Sequence, residues 1–470
     1  MAVITAHTVT PHYKSYPINN RERVVTMLRF FRRGKEKEKK AVVLGIDGVP
    51  CSLLKRFIDE GLMPNLAELA GKGTLSNMTA SIPEVSSTSW STFMTGVNPG
   101  KHGIYGFMEL QKGSYKWRFP DSRDVSSRTL WDIAGSNGKK SIVLNVPSTY
   151  PAKELNGILT AGFVALDLKK ATYPETAYEY LKGIGYIMDV NARKAQESLE
   201  ALAEEIDKTF EVRKKAIMHF LDTGEWDLFI GVITETDRLH HYLWVALEDE
   251  NHPQHDFFIG FYKKLDAFIG EMYRKVGDQV PFIMLSDHGF TTIKKEVYLN
   301  AWLREQGYLK FRKDVPGSLE DIHEESRVFV LDPSRIYIHR KGKYLNGSVG
   351  PDDYDGLRKK IREELMTLTY KGEKVIKEVL FKEEIYSGGL VKDAPDLVAL
   401  SHEGYDLKGA INKPEIFGNS FLTGGHTRDN AVFYINRDVK KSDINIVDVG
   451  PTVISLMGID HEGFDGKSLI

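Results

Sequence analysis

The sequence predicts an α/β fold in which helices flank a mostly parallel central sheet. From Lys40 onward, short β-rich runs alternate with helical stretches, as a parallel sheet with crossover helices requires. Acidic residues and histidines follow several of these β-rich runs. An open α/β sheet binds its ligands beyond the carboxyl ends of its strands, which is where these residues are predicted to lie. The chain has 470 residues, enough for one large domain with an insertion or for two domains.

The predicted strands are short apolar runs at 41–46, 141–146, 227–233, 282–286 and 431–436. Helical patterns cover 52–59, 64–71, 87–95 and 195–222. In the last of these, four apolar side chains repeat at helical spacing and are predicted to face the core: Leu199, Leu202, Ile206 and Phe210.

Changes in composition divide the chain into four regions. Residues 40–300 and 416–470 carry the α/β pattern and are predicted to form the core together. Between them, residues 301–415 combine many charges, Gly/Pro breaks and the strand candidates SRVFVL and SRIYIH, and we interpret them as an inserted cap region. Residues 1–39 form a basic extension, because the first forty residues contain ten Lys and Arg but three Glu.

The basic extension predicts an amphipathic helix, with Val24, Val25, Leu28 and Phe31 on one face. Two interpretations are open. The helix lies on an anionic membrane surface, in contact through residues 20–40, or it packs on the domain with its charges solvated.

Overall composition narrows the class of protein. The net charge of −2 gives no support for binding a nucleic-acid polymer. The single cysteine, Cys51, excludes an internal disulfide framework and favours a reducing, cytoplasmic compartment. No stretch approaches the roughly 20 apolar residues that span a bilayer, and the N-terminus lacks a signal-peptide core.

Separated Asp and His residues predict a two-metal hydrolase site. They are Asp47 in LGIDGVP, Asp237 and His241 in ETDRLHHYLW, Asp287 and His288 in LSDHGF, and His426 in GGHTRDN. The i,i+4 spacing of Asp237 and His241 places both on one face of a helical turn, whereas His240 points elsewhere. Asp and His without a thiolate suit Zn²⁺, and Mn²⁺ or Fe²⁺ are acceptable. The alternative for any one Asp at a strand end is a helix cap or a turn.

A candidate nucleophile lies in PEVSSTSWSTFMTGVNPGKHGI, where a loop enters a helix. One of Ser86, Ser87, Thr88 or Ser89 should lie at the helix N-terminus, whose amides and dipole favour a phosphate. The alternative is that these residues only cap the helix.

These blocks, with the terminal DVGPTVISLMGIDHEGFDGKSL, resemble in content and order the type I phosphodiesterase/nucleotide pyrophosphatase family of the alkaline phosphatase superfamily. The resemblance implies an alkaline-phosphatase-like sheet, two divalent metal ions, usually Zn²⁺, and a Thr or Ser nucleophile that forms a covalent intermediate. Asp47, Ser86, Asp287 and His288 match the ligands of the metal that activates the nucleophile. Asp237, His241 and His426 match the other metal. Ser86 occupies the nucleophile position without a gap, and Ser87 needs a one-residue shift.

One position departs from the family pattern. Nucleotide-cleaving members usually carry an Asn where this chain has Phe107, which puts nucleotide specificity in doubt. Asn145, in LNVPSTYP, is a candidate replacement as a substrate-binding donor, and loop capping is its alternative role. A sulfatase is set aside because Cys51 lacks the Cys/Ser-x-Pro-x-Arg context. A cofactor-independent phosphoglycerate mutase is set aside because no large insert follows the nucleophile.

The resemblance implies a metal-dependent hydrolase of small phosphorylated molecules, with diesters or pyrophosphates as substrates. Phosphate monoesters or phosphonates are the second candidate. From a different class, the chain could be a non-catalytic, membrane-associated ligand-binding protein on the same fold, although the intact set of seven site residues argues against that.

Overall fold

The computed structural model describes residues 39–470, which form one compact unit. The predicted amphipathic helix and most of the 20–40 membrane segment lie outside these residues. Within 39–470, nine strands build the central sheet. They are β1 Ala41–Ile46, β2 Thr74–Thr79, β3 Ser141–Val146, β4 Gly157–Ala161, β5 Thr172–Tyr173, β6 Leu228–Ile233, β7 Phe282–Leu285, β8 Ala431–Ile435 and β9 Ile444–Asn445.

The strand order across the sheet is β9-β2-β8-β7-β1-β6-β3-β4-β5. β1 lies at the centre and pairs in parallel with β6 on one side and β7 on the other. β8 and β5 run antiparallel to their neighbours. Every residue of β1, β3 and β6 is buried, which explains why these strands read as continuous apolar runs. The predicted mostly parallel α/β sheet is confirmed.

Helices cover both faces of the sheet. The core of one face includes Val42 and Leu44 of β1, and the helices packed there are Cys51–Asp59, Pro64–Ala70, Glu175–Gly183, Leu199–Thr223, Glu235–Glu248 and His255–Val276. The core of the other face includes Val43, and its helices are Ser86–Thr95, Leu130–Ser136 and Ile446–Leu456. The alternation of β1 side chains between the two cores follows from the two-residue period of a strand.

The four predicted helices are present with shifted ends. Leu199–Thr223 begins four residues later than predicted, because Ser198 Oγ accepts a hydrogen bond from Ala201 N at 3.0 Å and caps the helix there. Leu202, Ile206 and Phe210 are buried as predicted, and Leu199 packs on the same core while partly exposed.

A second hydrophobic core lies largely within the predicted cap region and includes Phe329, Ile336 and Ile361. Its four-stranded antiparallel sheet contains both predicted strand candidates. The strands are Val328–Leu331, Arg335–Ile338, Leu397–Ser401 and Ile376–Phe381. A three-stranded sheet beside it consists of Tyr405–Lys408, Lys295–Tyr298 and Phe417–Gly418. Two of these last strands fall just outside 301–415, and the four-region division of the chain stays a prediction.

The remaining elements are short or belong to the cap region. The helices are Pro99–His102, Leu168–Ala171, Leu299–Glu305, Pro351–Leu365 and Lys382–Ile385. The two-stranded pairs are Gly289–Thr292 with Gly424–Thr427, Glu109–Leu110 with Trp117–Arg118, and Thr369–Tyr370 with Glu373–Lys374. Across residues 39–470 no helix has the length and apolar character to cross a membrane. The cytoplasmic location stays a prediction.

Candidate active site

The sheet topology brings the predicted site residues to one edge. Asp47 follows β1, Asp287 and His288 follow β7, and the helix after β6 carries Asp237 and His241. His426 arrives from the antiparallel side, since the strand Gly424–Thr427 pairs with Gly289–Thr292 and places His426 opposite Phe290. The chain thus gathers six candidate ligands into two groups. These are the Asp47 group, Asp47, Asp287 and His288, and the Asp237 group, Asp237, His241 and His426.

In the Asp237 group three acceptor atoms face one another. His241 Nε2 lies 3.3 Å and His426 Nε2 lies 3.5 Å from Asp237 Oδ1. The two Nε2 atoms are 3.1 Å apart. Each Nδ1 donates to a backbone carbonyl, of Gly424 for His241 and of Glu84 for His426. In the neutral imidazole the Nε2 atoms therefore carry lone pairs, and burial lowers the pKa of His426, which opposes a second proton.

The Asp47 group is more deeply buried, and its acceptor atoms also converge. His288 Nδ1 donates to Gly289 O at 3.1 Å, so its Nε2 lone pair points inward, 3.4 Å from Asp287 Oδ2 and 3.7 Å from Asp47 Oδ1. Burial, followed by the charges of Asp287 and Asp237, raises the pKa of Asp47 well above its usual range. Burial also raises the pKa of Asp287 to about 7 and lowers that of His288 to about 4.

Both groups fit a divalent cation. Asp237 Oδ1 and Asp287 Oδ2 are buried and have no hydrogen-bond donor among the described residues. A cation is the partner that satisfies such convergent carboxylate and imidazole acceptors. The backbone carbonyls behind the three Nδ1 atoms hold the rings in the orientation a metal requires. The rings of His288 and His426 stack at 3.7 Å between centroids, so the two groups adjoin.

Ser86 lies at the junction of the two groups. Its Oγ is 3.2 Å from Asp47 Oδ1 and 3.2 Å from His288 Nε2. Ser86 is the first residue of the helix Ser86–Thr95, and the N-cap residue is Val85, with no side-chain capping bond. The alternative that this serine only caps the helix is therefore not what the structure shows. Ser87 Oγ is buried and has no hydrogen-bond partner among residues 39–470.

His240 and Gly48 shape the site from outside. His240 donates from Nδ1 to Gly48 O at 2.9 Å and accepts at Nε2 from Tyr262 at 2.7 Å, so it holds the loop after β1 and belongs to neither cation group. Gly48 has φ of +67°, and its N–H donates to Asp287 Oδ1 at 3.0 Å. A side chain at Gly48 would be strained and would meet the Phe290 ring at 2.6 Å.

Asn145 is used inside the sheet. Its amide nitrogen donates to Val232 O at 3.0 Å and to Thr234 Oγ1 at 3.2 Å, tying β3 to the end of β6. These bonds give Asn145 a structural role, as its predicted alternative of loop capping does. Substrate binding by Asn145 stays an untested prediction.

Three further side chains reach the site that were not among the predicted residues: Trp90, Arg238 and Phe163. Trp90 lies one helical turn after Ser86, and its Nε1 donates to Asp47 Oδ2 at 2.8 Å; the i,i+4 spacing is a signal that could have identified it. Arg238 follows Asp237 directly and its Nη1 lies 3.2 Å from Asp237 Oδ2. Phe163 enters from the loop after β4, which no sequence pattern indicates.

Two cavities meet at the site. The smaller, of about 90 Å³, lies over Ser86 and is lined by Asp47 and the whole Asp237 group, together with Phe107, Phe163 and Arg238. The larger, of about 930 Å³, shares Phe107, His241 and His426 with it. The larger cavity extends to residues 332–334 and 399–408, which lie in the predicted cap region.

A family model for type I phosphodiesterase / nucleotide pyrophosphatase matches residues 41–432. That range is most of the chain and contains every residue of the two cation groups and Ser86. The chain belongs to this family. As a member of it, the protein is a hydrolase of phosphoric ester or phosphoanhydride bonds, and metal dependence is a property of the superfamily.

Solved structures share the fold of this family member. Phosphonoacetate hydrolase from Sinorhizobium meliloti 1021 is 17% identical, with 89% of this chain and 95% of that chain covered and a TM-score of 0.62. Human ectonucleotide pyrophosphatase / phosphodiesterase 5 is 15% identical, with coverage of 91% and 97% and a TM-score of 0.54. These likenesses confirm the predicted alkaline-phosphatase-like fold. No curated protein sequence matches the chain.

Cation binding to the Asp47 group should weaken as the pH falls through about 7, the pKa to which burial raises Asp287 in the cation-free protein. A raised pKa means that Asp287 in the folded, cation-free site holds its proton up to that pH, so this proton competes with the cation below that pH. Titration calorimetry with Zn²⁺ or Mn²⁺ in buffers of different ionisation enthalpy measures both affinity and proton release. Asp287→Asn should bind the cation more weakly and with a shallower pH dependence, because Asp47, whose pKa is also raised, remains. An affinity of the parent protein that is equal on both sides of neutrality would contradict the prediction.

Proposed function

We propose that the chain hydrolyses phosphodiesters or pyrophosphates of small molecules, with Ser86 as nucleophile at a site for two divalent cations. Zn²⁺ is the first choice of metal, and Mn²⁺ or Fe²⁺ are the alternatives. The position of Ser86 Oγ carries this proposal. It lies 3.2 Å from two members of the Asp47 group and lines the same cavity as the Asp237 group.

The residues present divide naturally between two cations. Asp47, Ser86, Asp287 and His288 would hold one, and Asp237, His241 and His426 the other. Divalent cations bound there would supply Lewis-acid stabilisation of the phosphoryl charge and lower the pKa of the serine hydroxyl.

The protein groups then account for the in-line displacement. The helix that begins at Ser86 directs its N-terminal amides and dipole toward the phosphoryl oxygens. Ser86 Oγ forms a bond to phosphorus while the bond to the leaving oxygen breaks, and the serine proton passes to solvent. A water molecule later attacks phosphorus, breaks its bond to Oγ and regenerates the serine. Trp90, by donating to Asp47 Oδ2, fixes the carboxylate that accepts from the serine.

The larger cavity provides room for the leaving group. Its wall combines the site residues His241 and His426 with the cap region loops at 332–334 and 399–408. We infer that these loops select the leaving group. Phosphate monoesters or phosphonates are the second candidate substrates, because Phe107 lines both cavities and presents no hydrogen-bond donor at a position where nucleotide-cleaving relatives carry Asn.

Turnover of bis-p-nitrophenyl phosphate and p-nitrophenyl phosphate by the cation-loaded protein tests the proposed class. We expect the diester to be the better substrate by kcat/KM. A faster monoester reaction would favour the second candidate, and no turnover of either would favour the non-catalytic ligand-binding protein.

Substitutions in 399–408 should change kcat/KM for substrates with large leaving groups more than kcat/KM for the small aryl phosphates, because contacts remote from phosphorus tune binding of the part of the substrate that does not react. Equal losses would mean that the loop is structural.

Ser86→Ala should lower kcat by at least about 10³-fold, because it removes the attacking oxygen and leaves the Asp and His ligands in place. Ser86→Thr should retain partial activity, because the hydroxyl survives. Ser87→Ala is the matched control and should cost little, because Ser87 Oγ has no partner among the described residues. The measurement is kcat at equal metal content. If Ser87→Ala is inactive and Ser86→Ala is active, the nucleophile is Ser87. If both variants are active, water rather than a serine attacks phosphorus.

A further inference from the structure

Arg238 is the one Lys or Arg side chain among the described residues that line the smaller cavity over Ser86. Apart from Arg238, the two cation groups and Ser86, the residues in the wall of this cavity carry no charge: Phe107, Phe163 and Pro147 are apolar, and the Thr234 hydroxyl accepts from Asn145 Nδ2 at 3.2 Å. A phosphoryl group there would present negatively charged oxygens to this wall. The Arg238 guanidinium is the positively charged group on that wall and can meet them with charge-assisted hydrogen bonds.

The Arg238 guanidinium is held rigidly rather than free to swing. Asp189 accepts from Nη2 at 2.8 Å and from Nε at 3.4 Å. Phe163 supports the plane of the group, with the guanidinium carbon 4.7 Å from its ring centroid. The Phe163 ring is in turn packed edge-on against Phe107 at 5.4 Å. A cation fixed in this way loses little conformational entropy when it binds a ligand.

Its hydrogen-bonding capacity is not exhausted by these contacts. A guanidinium has five N–H donors. Two bonds go to Asp189 and one, from Nη1, to Asp237 Oδ2 at 3.2 Å. Two donors are left for a ligand, on a side chain that is 18% exposed and lines the cavity.

A positioning role for Asp237 accounts for part of this arrangement. Arg238 contacts Oδ2, and Oδ1 faces His241 and His426, so the guanidinium does orient the carboxylate. One N–H donor would suffice for that. It explains neither the clamp by Asp189 nor the exposure of the guanidinium to the cavity over Ser86.

We propose that Arg238 also binds a non-bridging oxygen of the phosphoryl group above Ser86, and that Asp189 and Phe163 set its plane for this contact. The inference rests on the proposed function, because it deepens the description of the same site. The ligand chemistry is a tetrahedral oxyanion, such as a phosphate ester or the inorganic phosphate product.

Binding of inorganic phosphate to the Zn²⁺-loaded protein, measured by titration calorimetry, tests the proposal without requiring turnover. Arg238→Met should raise the Kd for phosphate by roughly 10- to 100-fold, the loss expected for a charge-assisted hydrogen bond. Arg238→Lys should lie between, because it keeps the charge and loses the fork. Asp189→Asn leaves the guanidinium in place and should give a smaller increase. Arg274→Lys is the matched control and should leave the Kd unchanged. Arg274 donates to Asn65 Oδ1 at 2.9 Å and lines neither cavity.

Metal content, measured by elemental analysis on the same samples, separates anion binding from positioning of Asp237. We expect it to be unchanged in Arg238→Lys and Asp189→Asn. Loss of metal in parallel with loss of phosphate affinity would overturn the proposal and leave Arg238 with the positioning of Asp237 alone. An unchanged Kd in Arg238→Met, or a parent protein that binds no phosphate, would also overturn it. Phosphate binding that depends on Arg238 in a protein that turns over neither aryl phosphate would uphold this inference and reject the proposed hydrolysis.

Discussion

Electrostatic repulsion among buried ligand atoms is the constraint on which this structure depends. Asp47, Asp287 and Asp237 lie together with the Nε2 lone pairs of three histidines, and two carboxylate oxygens have no donor among residues 39–470. The raised pKa values of Asp47 and Asp287 express the cost of placing these charges in a low-dielectric setting. Such a cluster is tolerable when a cation neutralises it, and the rest of the fold serves to hold it in place.

The rigidity of the central sheet makes that placement possible. β1, β6 and β7 are neighbours and end at one edge, so each contributes ligands from the residue or turn that follows. Backbone groups complete the geometry, because carbonyls of Gly289, Gly424 and Glu84 fix the three imidazole rings. The helix that begins at Ser86 is tied to the same centre through Trp90. Ser86 and the six candidate ligands are thus positioned by the central strands and by the helices and turns that follow them.

Much of the fold and of the site could be predicted because the signals are local. β1 and β6 are runs buried on both faces, and the site residues follow them directly. The strand β2, Thr74–Thr79, was missed because its sequence TLSNMT has no apolar run or alternation. The helix His255–Val276 was missed although its apolar residues repeat at helical spacing. Phe163 could not be predicted, because its approach to Arg238 depends on how a loop after β4 folds over the edge of the sheet.

A covalent adduct on Ser86 during turnover would identify this serine as the group that attacks phosphorus. The Zn²⁺-loaded protein is mixed with bis-p-nitrophenyl phosphate, quenched in acid during turnover and digested for mass spectrometry. We expect a phosphoryl or aryl-phosphoryl group on Ser86 that is absent from Ser86→Ala. Steady turnover with an unmodified Ser86, or with the adduct on Ser87, would contradict it.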